Sequence, residues 1–207
     1  MVFAFSSNPG KKNIFVFTET ENPLSKFSNE WADTKYLTCN TAKNSPFLSK
    51  SEKEVIYILN MARMNPSLFL ETVAKRYPKI SNEPELLNSS YYKSFLLFLK
   101  DQKPLPLLFP EKKLFESAFC HAVSSGELGY IGHDRQTVKC KTLEKFNGEC
   151  CHYGSDKPLE IVLELMIDED VPSLGHRKLI FDKFSKIGIS IQPHAKYGWN
   201  SVFDFDH

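Results

Sequence analysis

Apolar positions between Val55 and Ala62 recur at the intervals of one helix face. Ser49 or Ser51 precedes this stretch, and a glutamate follows each serine three residues later, which is the spacing of a capping box. Proline restricts the residue before it, so the helix should stop ahead of Asn65-Pro66. We predict a helix over about residues 52–64.

The same helical spacing returns in five further stretches, separated by proline, glycine and polar residues. Gly126 follows one apolar face and occupies the position expected of a C-terminal cap. Residues 129–154 show little periodicity, and we expect them to be rich in loops. The pattern predicts helices over residues 66–76, 90–100, 112–126, 158–168 and 177–181.

The C-terminal part of the chain changes to the period of two that is typical of strands. Residues 186–191 alternate, and residues 201–205 form a second such run after a turn at Gly198. The two runs predict an antiparallel hairpin. Helices that precede a small sheet indicate the α+β class.

Residues 1–48 are polar and contain three prolines, with only short apolar pieces. Their aromatic residues indicate that the segment packs on the rest of the chain: Phe15, Phe17, Phe27, Trp31 and Tyr36. We therefore predict an N-terminal extension over residues 1–48 and one domain over residues 49–207, and we expect a monomer.

Composition narrows the class of protein. The 207 residues are 42% hydrophobic and include 17 Phe, which is typical of a folded domain. The formal net charge is +1, so a general affinity for nucleic acid is not expected. No apolar run reaches the roughly 20 residues that a transmembrane helix needs. Residues 1–10 lack the basic region and long apolar centre of a signal peptide, so either the protein is cytoplasmic or a signal has been removed.

The five cysteines do not decide between an oxidising and a reducing compartment, because an odd number leaves at least one cysteine unpaired in a monomer. Cys150 and Cys151 are adjacent and lack the C-x-x-C spacing of a structural zinc site. They are expected to be packing residues or to bond elsewhere, for example to Cys120 or Cys140.

Candidate chemistry lies between residues 133 and 176. His133, Glu149, the acids of the helix from Glu160 to Asp168, and His176 supply imidazole and carboxylate groups. These are ligands that zinc or another borderline divalent cation accepts. Their spacing forms no local metal motif, so the residues alone leave their convergence open.

Several segments together resemble the CAP superfamily, the cysteine-rich secretory, antigen and pathogenesis-related proteins that share an SCP-like extracellular domain. The resemblance begins with Leu59-Asn60-x-x-Arg63, continues through a helix with His121 to His133, and includes Gly148-Glu149. Its most specific part is Gly175-His176-Arg177 followed by residues 184–189, FSKIGI. It covers about residue 49 to the C-terminus.

The resemblance implies an α-β-α sandwich with a small antiparallel sheet flanked by helices, in a secreted, extracellular or periplasmic protein. It also implies a cleft in which His133, Glu149, Asp168 and His176 gather as ligands of zinc or another divalent cation. Glu164 is the alternative to Asp168, and Arg177 is a further cleft candidate. Cys150-Cys151 after Gly-Glu, and Arg177 after His176, depart from the eukaryotic pattern and favour a bacterial-type or divergent member.

Three functions follow as hypotheses. The first is a binding module for an unidentified small-molecule, lipid or protein ligand, because no nucleophile with a positioned base is evident. The second is a metal-assisted hydrolase of peptides or esters, with Glu149 as the general base. The third is a lipid or sterol binder with the apolar segment Pro104 to Pro110 as its rim.

Overall fold

The computed structural model describes residues 22–207. The helices are α1 (Lys50–Met64), α2 (Pro66–Thr72), α3 (Tyr77–Ile80), α4 (Ser90–Asp101), α5 (Lys112–Leu128), α6 (Val138–Leu143), α7 (Pro158–Ile167) and α8 (Gly175–Ile180). The strands are β1 (Phe109–Pro110), β2 (Gly148–Tyr153), β3 (Lys186–His194) and β4 (Gly198–Asp206). Short 3-10 helices cover Asn29–Ala32, Thr34–Cys39, Ala74–Arg76 and Pro84–Asn88.

The four strands form one mixed sheet in the order β1-β3-β4-β2. The predicted hairpin is β3 and β4, which pair antiparallel around the turn before Gly198. Strand β2 lies antiparallel to β4 at one edge, and the short β1 lies parallel to β3 at the other. Helices flank this sheet, so the predicted α+β class is confirmed.

The two faces of the sheet differ in polarity. Ile187, Ile189, Phe203 and Phe205 belong to the main apolar core, which they share with α1 and α7. The alternate positions point to the opposite face, because successive strand side chains do so. That opposite face packs on α5 and is lined with polar residues: Ser190, Asn200 and Asp204.

Helix α5 approaches the polar face very closely. A Cβ atom built on Gly188 of β3 would lie 2.1 Å from the Leu114 carbonyl carbon, so only glycine fits there. Gly126 plays the same part near the other end of α5, where a Cβ would lie 2.2 Å from the Pro193 carbonyl oxygen. The prediction that Gly126 is the C-terminal cap of this helix is wrong. The helix continues to Leu128, and Gly129 provides the left-handed C-cap.

The motif Leu59-Asn60-x-x-Arg63 stabilises the fold. Asn60 exchanges hydrogen bonds with the backbone of Leu108 and also donates to the Cys39 carbonyl. The buried Arg63 guanidinium donates to carbonyl groups in two distant segments of the chain, those of Pro106, Ile180, Asp182 and Phe184. These two side chains join α1 to segments more than 40 residues away.

Residues 22–48 pack on the helical side of the core. Trp31 is fully buried, and its indole Nε1 donates to Thr72 Oγ1 at 2.9 Å. Tyr36 is also buried and contacts the Trp31 ring. The predicted contributions of Phe15 and Phe17 lie outside the described residues.

The expectation of a loop-rich segment over residues 129–154 is wrong at both α6 and β2. Strand β2 has five consecutive buried residues and only its last, Tyr153, is half-buried. A strand that is covered on both faces shows no alternation of polar and apolar residues, so its sequence does not reveal its period.

Among the described residues, no helix has the length and apolar character needed to cross a bilayer.

Candidate functional site

Edge strand β2 carries the central residues of the site. Its side chains alternate between two faces. Cys151 packs with Ala118 and Ala122 of α5, whereas Cys150 belongs to the main core on the opposite face. By the same alternation Glu149 lies on the α5 face, with Cys151.

Glu149 is a buried carboxylate that is paired with His133 and with the cationic Arg135, both from the loop that follows α5. His133 Nδ1 lies 2.8 Å from Oε1, and Arg135 Nη1 lies 2.5 Å from Oε2. Burial alone would raise the pKa of Glu149, but the hydrogen bond from His133 and the charge of Arg135 outweigh it and lower the pKa. The same hydrogen bond raises the pKa of His133. Glu149 is therefore ionised at neutral pH.

A second buried carboxyl group, that of Asp204, lies directly opposite Glu149 in the β2–β4 pairing. Arg135 Nη2 is 3.6 Å from Asp204 Oδ2 and donates to Ser117 Oγ of α5. Burial, and then the negative charge of Glu149, raise the pKa of Asp204 well above its ordinary value. One guanidinium thus lies beside two carboxyl groups whose pKa values are shifted in opposite directions.

His121 of α5 completes this cluster. Its Nε2 lies 2.9 Å from the Gly132 carbonyl oxygen, which only accepts hydrogen bonds, so Nε2 carries the proton. Nδ1 is then the unprotonated nitrogen, and it is buried with no hydrogen-bond partner among the described residues. Burial, and then the nearby charge of Arg135, lower the pKa of His121, which keeps the ring neutral.

His121, Glu149 and Cys151 form a group that could hold a metal ion. One donor atom of each lies within 4.8 Å of the donor atoms of the other two. The set combines imidazole nitrogen, carboxylate oxygen and sulfur, all of which zinc accepts. Burial raises the pKa of the Cys151 thiol, so the thiol keeps its proton until a cation or base replaces it.

The other two predicted ligands form a separate pair. Asp168 is the C-cap of α7 in a left-handed conformation, and its Oδ1 accepts a 2.7 Å hydrogen bond from His176 Nδ1. Its Oδ2 accepts the backbone N–H of Arg177. Asp168 lies near Cys150, whose side chain faces away from Glu149 and Cys151.

The structure therefore pairs His133 with Glu149, and His176 with Asp168. In the described part of the chain, the group of three close donor atoms contains one of these four residues, Glu149. Convergence of all four around one ion remains a prediction.

The remaining candidates have other partners. Glu164 accepts a 2.7 Å hydrogen bond from the buried His152, and it belongs to neither of the two pairs. The Arg177 guanidinium is buried and donates to the carbonyl groups of Met166, Ile167 and Tyr91 and to Ser94. Its place is in the packing between α4, α7 and α8.

Four residues of the cluster are not among the ligands predicted from the sequence: His121, Cys151, Arg135 and Asp204. In the sequence, His121 is one more residue of an amphipathic helix, and Cys151 is expected to be a packing residue. Asp204 offered a signal, because it is a charged residue between two phenylalanines in a predicted strand. A strand of this kind has one apolar face and one polar face, and the polar face here is buried.

A disulfide joins Cys120 of α5 to Cys140 of α6, which encloses the loop that carries His133 and Arg135. Cys39, Cys150 and Cys151 are buried and not disulfide-bonded. The disulfide fixes the end of this loop beside His121.

No family model matches the chain, and a search of curated proteins finds no match. Among solved structures, an outer surface protein from Borrelia burgdorferi is similar, with a TM-score of 0.38 and 19% sequence identity. The match covers 59% of this chain and 93% of that chain. Similarity at this level carries no inference about family or function.

Proposed function

We propose that the protein is a metal-binding module, and that Glu149 binds the ion together with His121 and Cys151. The observation that carries this proposal is the convergence of one donor atom each from His121, Glu149 and Cys151 within 4.8 Å of one another. The buried Nδ1 of His121, which has no hydrogen-bond partner among the described residues, supports it, because Nε2 is already bonded to Gly132. A polar atom without a partner costs free energy in the folded protein, and a metal ion would satisfy it. The hydrogen bond from Nε2 to Gly132 is the second contact that orients histidine ligands in metal sites.

Zinc is the ion that we propose. A thiolate, an imidazole and a carboxylate suit zinc, whereas magnesium and calcium prefer oxygen ligands alone. Binding of an ion would also displace the protons of the Cys151 thiol and of the Asp204 carboxyl group. The Cys151 thiolate, Glu149 and an ionised Asp204 would together balance a dication and the Arg135 guanidinium.

We also propose that the protein functions outside the cytoplasm. The Cys120–Cys140 disulfide supports this, because disulfides persist in oxidising compartments and are rare in the cytosol. The resemblance to secreted CAP proteins predicts the same location, in a protein that acts by binding.

Calorimetric titration of zinc into chelator-stripped protein, without reductant, tests the proposed site. We expect one-to-one binding that is at least about 100-fold weaker in His121→Ala and in Cys151→Ser, because each variant loses a ligand. His176→Ala is the matched control and should bind like the wild type. Circular dichroism before each titration checks that the variants are folded.

Equal binding by the wild type and both variants would overturn the proposal. Binding that is lost in His176→Ala but kept in His121→Ala would instead support the four-ligand set predicted from the sequence. That result would place the ion with Asp168 and His176.

A further inference from the structure

We infer that residues 130–143 form a lid over the proposed ion site, that the Cys120–Cys140 disulfide locks this lid, and that reduction of the disulfide by a dithiol releases the ion. The inference rests on the proposed metal function and concerns the regulation of the same site. Its consequence is that the protein keeps its ion in an oxidising compartment and gives it up where a dithiol reductant reaches it.

The lid contacts each of the three donor residues. The Gly132 carbonyl oxygen accepts the hydrogen bond from His121 Nε2 and lies 3.8 Å from Cys151 Sγ. Arg135 Nη1 lies 2.5 Å from Glu149 Oε2. All three donor residues are buried. An ion bound to them would therefore lie beneath the lid, with lid atoms against every one of its ligands.

The disulfide holds the C-terminal half of the lid. Helix α6 forms this half, and Cys140 is its only buried residue. Leu143 is half-buried, and the other four residues of α6 are exposed. Because the side chains of α6 bury so little, the covalent bond from Cys140 to Cys120 of α5 is the main attachment of this helix.

The cross-link opposes opening of the lid. A disulfide removes conformational freedom from the segment that it encloses, and an open lid would regain that freedom. With the bond intact, residues 121–139 form a closed loop whose two ends cannot separate. Without it, the non-covalent contacts of Gly132 and Arg135 alone keep the lid closed.

The reduction step transfers two electrons from the dithiol to the protein disulfide. A thiolate of the reductant attacks Sγ of the half-buried Cys120, the S–S bond breaks, and Cys140 leaves as a thiolate. Ser124 Oγ lies 3.6 Å from Cys140 Sγ, so its hydroxyl can turn to donate to that thiolate. The second thiol of the reductant then displaces Cys120. The reductant becomes a disulfide, and its two protons end on the two cysteines.

Release of zinc to a coloured chelator, followed by stopped-flow absorbance, tests the inference on the full chain. The oxidised wild type is compared with the dithiol-reduced wild type and with a disulfide-free variant, Cys120→Ser with Cys140→Ser. The reductant is removed by gel filtration without oxygen before zinc is loaded, because dithiols themselves bind zinc. We expect release to be at least about tenfold faster from the reduced protein and from the disulfide-free variant.

Lys139→Ser with Lys141→Ser is the matched control, because these two exposed residues flank Cys140 on α6 and the disulfide is kept. It should release zinc at the rate of the oxidised wild type. Hydrogen exchange of the metal-free proteins is a second readout that needs no ion. Amides of the lid should exchange faster in the disulfide-free variant than in the oxidised wild type, and those of β3 and β4 should not.

Equal release rates from the oxidised wild type and the disulfide-free variant would overturn the inference. Equal hydrogen exchange of their lid amides would overturn it as well. Failure of the oxidised wild type to bind zinc would instead refute the proposed metal function itself.

Discussion

At the scale of single residues, two buried carboxyl groups lie beside one guanidinium. Asp204 and Glu149 are cross-strand neighbours, and Arg135 lies beside both. Burial, and then the negative charge of Glu149, raise the pKa of Asp204, while the pKa of Glu149 is lowered. A carboxyl group that must keep its proton in the folded protein, but loses it in the unfolded chain, reduces stability at neutral pH.

Asp204→Asn should therefore stabilise the metal-free protein at pH 7, because asparagine resembles the protonated acid without the need to bind a proton. The folded pKa of Asp204 lies above its unfolded value, so its contribution to stability is lost as pH rises through that interval. The variant should show a weaker decline in the free energy of unfolding with rising pH. Urea denaturation between pH 4 and pH 8 measures this difference.

Asp206→Asn is the matched control for this prediction, because Asp206 lies on the same strand but is partly exposed beside Lys186. It should leave the pH dependence of stability close to that of the wild type. An Asp204→Asn protein that is less stable than the wild type across the whole range would contradict the predicted protonation state. Zinc affinity should fall in Asp204→Asn, because asparagine cannot ionise to balance the charge of a bound ion.

The packing of α5 against the sheet determines the site at the scale of elements. Helix α5 lies directly on β3 at Gly188, and in this packing His121 lies beside Glu149 and Cys151. Gly188→Ala would place a methyl group against the α5 backbone, which cannot move aside as a flexible side chain can. We expect a loss of about 3 kcal/mol in the free energy of unfolding, measured by urea denaturation.

Gly175→Ala provides the comparison, because the added methyl would meet only Ser173 Oγ at 3.4 Å. Its effect should remain within about 0.5 kcal/mol. Equal stability of the two alanine variants would show that α5 is not held as closely as the structure has it.

The sequence predicted those elements whose two faces differ. The helix of residues 52–64 and the C-terminal hairpin both have clear periods, and both occur where expected. Strand β2 was missed because its buried faces include Glu149 and His152, whose polar side chains are satisfied only by distant residues. No local pattern contains that information.

The site was predictable only in part for the same reason. The pairs His133–Glu149 and Asp168–His176 consist of predicted residues. The sequence alone does not show that the two pairs lie apart. His121 and Cys151 come together because a helix and an edge strand meet around one buried space. Such convergence depends on the packing of α5, and the spacing along the chain does not express it.

The disulfide and the sheet together organise the whole molecule around this site. Cys120 and Cys140 enclose the loop of His133 and Arg135, and Arg135 links that loop to both β2 and β4. The apolar face of the sheet contributes to the main core, while the polar face and helix α5 supply the donor atoms. The molecule thus separates the part that stabilises it from the part proposed to bind an ion.

X-ray absorption spectroscopy of the zinc-loaded, oxidised protein tests the central claim most directly, because it counts the atoms bound to the ion. We predict one sulfur at about 2.3 Å, with nitrogen and oxygen ligands at about 2.0–2.2 Å. The sulfur should disappear in Cys151→Ser. A wild-type shell made of nitrogen and oxygen alone would contradict a site built from His121, Glu149 and Cys151.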